Sequence, residues 1–139
     1  MHKLYNYIEA KERLGTVTVK TKLIHSDVFS EESGNDVYIK PENLQITGSF
    51  KVRGAYNRIS KLTKDEKERG VIAASAGNHA QGVALAAQRL GIKAVIVMPK
   101  HTPLIKINAT KKYGAEVVLH GEIYDDAYQK ARQLQEEEG

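Results

Sequence analysis

Cysteine and tryptophan are absent from this chain of 139 residues, and phenylalanine occurs twice. Without thiols there can be neither a disulfide framework nor a thiolate metal site. The aromatic content is low, seven tyrosines besides the two phenylalanines, and the 21 basic residues are interleaved with 17 acidic ones. A net charge of +4 spread in this way forms no basic stripe with stacking side chains, so nucleic acid is not an expected partner. No apolar run is long enough to span a membrane. The opening "MHKLYNYIEAKERL" is too charged for a signal peptide, so a cytoplasmic location is expected, and the sequon at Asn108-Ala109-Thr110 has no secretory route. His2, His25, His79, His101 and His120 share no spacing with carboxylates, and no metal site is expected.

Apolar residues make up 41 % of the chain, enough for a core in a domain of this size. Residues 3–14 have the period of a short amphipathic helix with Leu4, Ile8 and Leu14 inward, ended by Gly15. The run "TVTVKTKL" (16–23) alternates like a strand. A polar turn or short helix (26–36) and a second strand (36–40) closed by Pro41 follow. Beyond this arm the rhythm is regular. Thr63-Lys64-Asp65-Glu66 is a capping box opening a short helix that Gly70 ends. Then come strand 71–75, helix 78–90 stopped by Gly91, strand 94–98, helix 103–113, strand 116–119 and a last helix from about 122 to 138.

The three strands are apolar without alternation, which fits a parallel sheet covered on both faces. The expected fold is therefore α/β: an open parallel sheet with helices on both faces over 41–139, preceded by an N-terminal arm over 1–40. Acids in the last turn oppose the helix dipole, and Gly139 sits where a strand would next begin, so this end reads as a cut or a linker.

Two stretches carry chemistry. In "TGSFKVRGAY" (47–56), Thr47-Gly48-Ser49 reads as a turn ending in an N-cap, with Val52, Ala55, Ile59 and Leu62 at helical spacing. Lys51 then falls in the first helical turn, where the dipole disfavours an ammonium and so favours the free amine that a nucleophile or base needs. Gly54, one turn on, suggests the close approach of another group. In "SAGNHAQG" (75–82), Ser75 closes a strand, Gly77 permits a tight turn, and the amides of Asn78 and His79 open the next helix as an anion site. The spacing is neither a Walker A loop nor GxGxxG. Arg53 and Arg58 read as surface charges, and Tyr5, Tyr7, Tyr56, Tyr113, Tyr124 and Tyr128 as packing and half-exposed residues.

"KPENLQITGSFKVRGAYNRI" (40–59), "SAGNHAQGVA" (75–84) and "MPKHTPLIKINATKKYGAEVVLHG" (98–121), in this order, resemble the fold-type II pyridoxal-phosphate enzymes, and among them the threonine dehydratases (threonine ammonia-lyases). The resemblance runs from about residue 16 to 139. It implies pyridoxal 5'-phosphate as cofactor, with Lys51 bonded to its aldehyde, Phe50 against its ring and Asn78 hydrogen-bonded to the ring hydroxyl. Ser75, Gly77, Asn78 and His79 would hold the carboxylate of an amino-acid substrate. It also implies a lyase reaction in which Lys51 takes the α-proton, the β-hydroxyl leaves, and a 2-oxo acid and ammonia are released.

The pattern is departed from at Thr21-Lys22-Leu23, where Thr-Pro-Leu is usual. The family's phosphate-gripping glycine-rich loop and its ring-nitrogen partner have no counterpart in these 139 residues. The resemblance therefore implies the smaller domain of a longer enzyme. By itself such a piece would bind the cofactor weakly, turn nothing over and self-associate, as a homo-oligomer. Serine dehydratase or serine racemase is the neighbouring alternative. A non-catalytic α/β domain that binds an anion is the alternative of another class.

Overall fold

The computed structural model describes residues 4–139; His2 and Lys3, the latter the expected first residue of the opening helix, lie outside them. Helix α1 (Leu4–Leu14) leads by an irregular segment to a small hairpin-like pair, β1 (Ile24–His25) and β2 (Tyr38–Ile39), which are antiparallel and joined through α2 (Asp27–Ser33). A single 3-10 turn, Glu42–Leu44, precedes α3 (Lys51–Ile59) and α4 (Lys64–Arg69). The remainder alternates strictly: β3 (Val71–Ala74), α5 (Asn78–Leu90), β4 (Ala94–Met98), α6 (Leu104–Lys111), β5 (Glu116–Leu119) and α7 (Tyr124–Glu138).

The last three strands form one parallel sheet in the order β3-β4-β5, with Val71 beside Ala94 and Val95 beside Glu116. Both faces are covered, as the apolar runs require. On one face Ala94, Ile96 and Met98 pack with Ala80, Val83, Ala84 and Ala87 of α5 and Ile107 of α6. On the other, Val97 is buried with Ala127 and Ala131 of α7, alongside Ile72 and Ala74. Helix α7 thus doubles back across the sheet and touches β3 as well as β4. Strand β3 is half-buried along its whole length because its outer edge has no neighbour among the described residues.

Local chemistry sets the boundaries. The Thr63 hydroxyl accepts from Glu66 N while the Glu66 carboxylate accepts from Thr63 N at 2.7 Å, closing the capping box. That pairing, with the charge of Arg58 and Arg69 nearby, holds the Glu66 carboxyl below its ordinary value. The Asp126 carboxylate caps α7 by accepting from Glu122 N (2.7 Å) and Ile123 N (3.2 Å), which lowers its pKa.

The arm departs from its sequence pattern. Residues 16–23 form no strand; Val17 and Thr21 are buried with Val19 exposed between them. The backbone partner of this segment is a side chain: Gln45 accepts from Val19 N and donates to Val19 O, both at 2.9 Å, in place of a neighbouring strand. In α1 only Leu14 is buried, while Leu4 is 76 % and Ile8 50 % exposed. The helix meets α3 near its C-terminal end, where Arg13 Nε donates to Asn57 Oδ1 at 2.9 Å, and its apolar stripe extends past that contact.

Candidate active site

Lys51 is the first residue of α3, and Phe50 precedes it without any capping side chain. The turn before them needs Gly48, whose φ is +68°; its N–H donates to Gln45 O at 2.8 Å. Thr47 and Ser49 are buried, and Ser49 Oγ accepts weakly from Lys51 N at 3.4 Å in place of a full cap. The side chains of Phe50 and Lys51 point outward. Phe50 is 57 % exposed, and Lys51 Nζ lies 5.2 Å from its ring centroid, within cation–π range.

The second stretch follows β3. Ser75 N donates to Val97 O, extending the ladder by one residue, and Ser75 Oγ accepts from Gly77 N and Ala80 N, both at 3.3 Å. The hydroxyl therefore ties the turn and keeps its own proton to donate. Gly77 has φ −137°, accessible to any residue; what its missing side chain provides is space, since a Cβ there would meet nothing within 4 Å. Gly77, the N-cap residue, brings no side chain, and Ser75 Oγ takes only the Ala80 N–H of the first turn, so the N–H groups of Asn78 and His79 end the helix on an open, positively polarised surface.

These stretches are held together by Gly82. A Cβ on Gly82 would lie 3.0 Å from Lys51 C and O and 3.2 Å from Val52 N. Helix α5 thus crosses the start of α3 backbone to backbone. The close approach expected at Gly54 is here instead; a Cβ on Gly54 would meet nothing. Burial, and secondarily repulsion by the Lys51 ammonium, push the His79 imidazole below the ordinary histidine value. Lys51 and the Gly77–His79 turn therefore share one side of the molecule.

Arg53, read as a surface charge, and Gln45, not singled out in the sequence, have structural partners. Arg53 is no free surface charge: its Nε donates to Glu42 Oε2 at 2.7 Å and its Nη2 to Glu42 Oε1 at 2.9 Å. Gln45 carries the 16–23 segment. Both lie in the 40–59 motif, so the signal was their place beside Lys51, not their residue type. The larger cavity, about 520 Å³, runs along the free edge of β3, and of the candidates only His79 borders it. A second, of about 290 Å³, is lined by His79 with Tyr124 and Tyr128. Phe50, Lys51, Ser75, Gly77 and Asn78 line neither; Phe50, Lys51 and Asn78 are exposed, while Ser75 and Gly77 are half-buried.

The residues present fit the ring end of a pyridoxal molecule: an exposed primary amine, an aromatic face beside it, an exposed carboxamide at Asn78 and a helix end with room above Gly77. A sequence-family model described as pyridoxal-phosphate dependent enzyme matches residues 16–139. The chain belongs to this pyridoxal-phosphate-dependent family. Within the family it is 56 % identical over 131 residues to an L-threonine ammonia-lyase of Thermotoga maritima, a match covering 94 % of this chain and 33 % of that protein. It is 51 % identical over 132 residues to the catabolic L-threonine dehydratase of Escherichia coli, covering 95 % and 40 %. The processed form of threonine deaminase isoform 2 from Solanum lycopersicum superposes with a TM-score of 0.89 at 45 % identity, over 97 % of this chain and 40 % of that one. A maize serine racemase superposes at 0.91 and 33 % identity, over 99 % and 42 %. The chain spans a third to about two-fifths of the length of these four relatives.

Proposed function

We propose that this chain supplies the lysine-bearing part of an ammonia-lyase that converts L-threonine, and by the same groups L-serine, to a 2-oxo acid and ammonia. The observation that carries the reading is the backbone contact at Gly82, which brings the start of α3, with Lys51, against α5 one turn from its N-terminal end. When bound, pyridoxal phosphate supplies the conjugated ring that takes up the electron pair left by the α-proton. Lys51, as a free amine, is the base that receives that proton at Nζ. The N–H groups of Asn78 and His79, with the Ser75 hydroxyl, hold the substrate carboxylate. His79 stays neutral near pH 7, so this turn binds by dipoles and hydrogen bonds rather than by a full charge. Phe50 screens one side of the amine from water.

The open surface around Lys51 fits a site completed by further protein, and the unpaired edge of β3 fits association with a second copy. We place the protein in the cytoplasm, with a free amino acid as its substrate. The test is reductive trapping: the purified chain is incubated with pyridoxal 5'-phosphate, reduced with borohydride and mapped by mass spectrometry. Label concentrated on Lys51, and lost in Lys51→Ala, is the expected result; label spread evenly over the lysines would reject the assignment. Turnover of threonine by the chain alone is expected to be undetectable, because the amine is open to water on every side but the one that Phe50 covers.

A further inference from the structure

A two-pronged ion pair anchors the helix turn that carries the candidate amine. Glu42, in the 3-10 turn, and Arg53, in the first turn of α3, are 11 residues apart and meet in a two-pronged pair. The loop they close contains the Thr47–Lys51 segment. The carboxylate is then saturated: Glu42 Oε1 also accepts from Thr21 Oγ1 at 3.2 Å and from Gln45 Nε2 at 3.4 Å, while Lys40 Nζ donates to Thr21 O nearby. Only 17 % of the Glu42 side chain is exposed. A bidentate guanidinium–carboxylate pair fixes orientation as well as distance.

The need for such a device follows from the start of α3. Helix ends fray, and this one lacks a capping side chain, so Lys51 stands where a helix is least held. On one side the Lys51 backbone rests on Gly82. Elsewhere in that first turn, Val52 packs with Val17 of the arm, and Arg53 makes the polar contact, to Glu42. Tyr113 steadies the same loop, its hydroxyl donating to Ile46 O at 3.3 Å.

We propose that the Glu42–Arg53 pair is a positioning device that holds the first turn of α3 and thereby the direction in which Lys51 presents its amine. This rests on the reading of Lys51 as the reactive lysine. The pair touches neither cofactor nor substrate; its effect passes through the backbone from 53 to 51.

Glu42→Gln and Arg53→Lys are compared with the unchanged chain in two assays: the rate of pyridoxal-phosphate labelling at Lys51 relative to the other lysines, and amide hydrogen exchange at residues 51–54 without cofactor. Ile107→Val, a core change in α6 remote from the loop, serves as the control for general destabilisation. Glu42→Gln is expected to slow Lys51 labelling about tenfold relative to other lysines and to speed exchange at 51–54 while β4 and the middle of α5 stay protected. Arg53→Lys, which keeps the charge and loses the fork, should fall between. Ile107→Val should lower the melting temperature and leave both readouts in place. Lys51 labelling and local exchange unchanged in both pair variants, or changed equally by Ile107→Val, would overturn the proposal. If the unchanged chain shows no preference for Lys51, the reading of the reactive lysine fails, and local exchange decides the positioning role by the same criteria.

Discussion

At the scale of single residues, two titrations report on the geometry. The Lys51 ammonium contributes to holding His79 below its ordinary pKa, with burial the larger cause. In Lys51→Ala the His79 midpoint should therefore rise yet remain below the ordinary value, as read by NMR titration; an unchanged midpoint would place the two side chains out of electrostatic reach. Glu42 is lowered from 4.5 to about 2, chiefly by its hydrogen bonds from Arg53. Because the folded carboxyl takes a proton less readily than the unfolded one, its contribution is complete above about pH 5 and is lost as pH falls toward 2. With partial exposure discounted, that contribution is about 2 kcal/mol, and denaturant unfolding at pH 5 and pH 3 should show a loss that Glu42→Gln reduces by about that amount, the rest coming from the other lowered carboxyls, Glu66 and Asp126. Lys51, Asn78 and His79 could be singled out from residue type and spacing, since both stretches sit at helix starts. The Glu42–Arg53 pair could not, because a lone arginine in a helix has the same sequence pattern whether or not a carboxylate folds back onto it.

At the scale of elements, Gly82 is the position where a single methyl group should do most. Gly82→Ala would drive a Cβ against the Lys51 backbone, which cannot swing aside as a side chain could. A loss of about 1–3 kcal/mol is expected, together with impaired Lys51 labelling; the measurement is thermal unfolding alongside trapping. Gly54→Ala, whose Cβ meets open space, should instead be neutral or stabilising by up to about 1 kcal/mol, as expected for glycine replaced inside a helix. Helices α4 and α5 and strands β4 and β5 were readable in full, since caps, glycine stops and apolar runs agree there. Residues 16–23 were not. Alternating β-branched residues signal a strand only if a second strand exists to pair with, and here a glutamine amide takes that place. Leu4 and Ile8 fail for a related reason: periodicity shows that a helix has an apolar face but not what the face meets.

At the scale of the whole molecule, the sheet is asymmetric. Both faces are filled, while the outer edge of β3 borders an open groove. Val71 N and Ser75 N donate toward β4, so by the parallel repeat the N–H groups of Ile72 and Ala74 point outward. Such an edge is a template for pairing. The chain is expected to associate as concentration rises, and Ala74→Pro, which removes an outward donor without breaking a bond to β4, should weaken that association. Sedimentation equilibrium of the two proteins decides; equal association would locate the contact elsewhere, for instance on the exposed Leu104 and Ile105 of α6.

The two hydrogen bonds between Gln45 and the Val19 backbone bear on how the molecule is cut. Between its anchors at buried Val17 and Thr21, the 16–23 segment is held by one amide and opens locally at a cost far below that of global unfolding. Lys20 and Lys22, both exposed, lie within it. Trypsin should therefore nick the folded chain first at these lysines, separating α1 from the rest while the parallel sheet stays intact, and Gln45→Ala should hasten that cleavage several-fold without equal loss of the core.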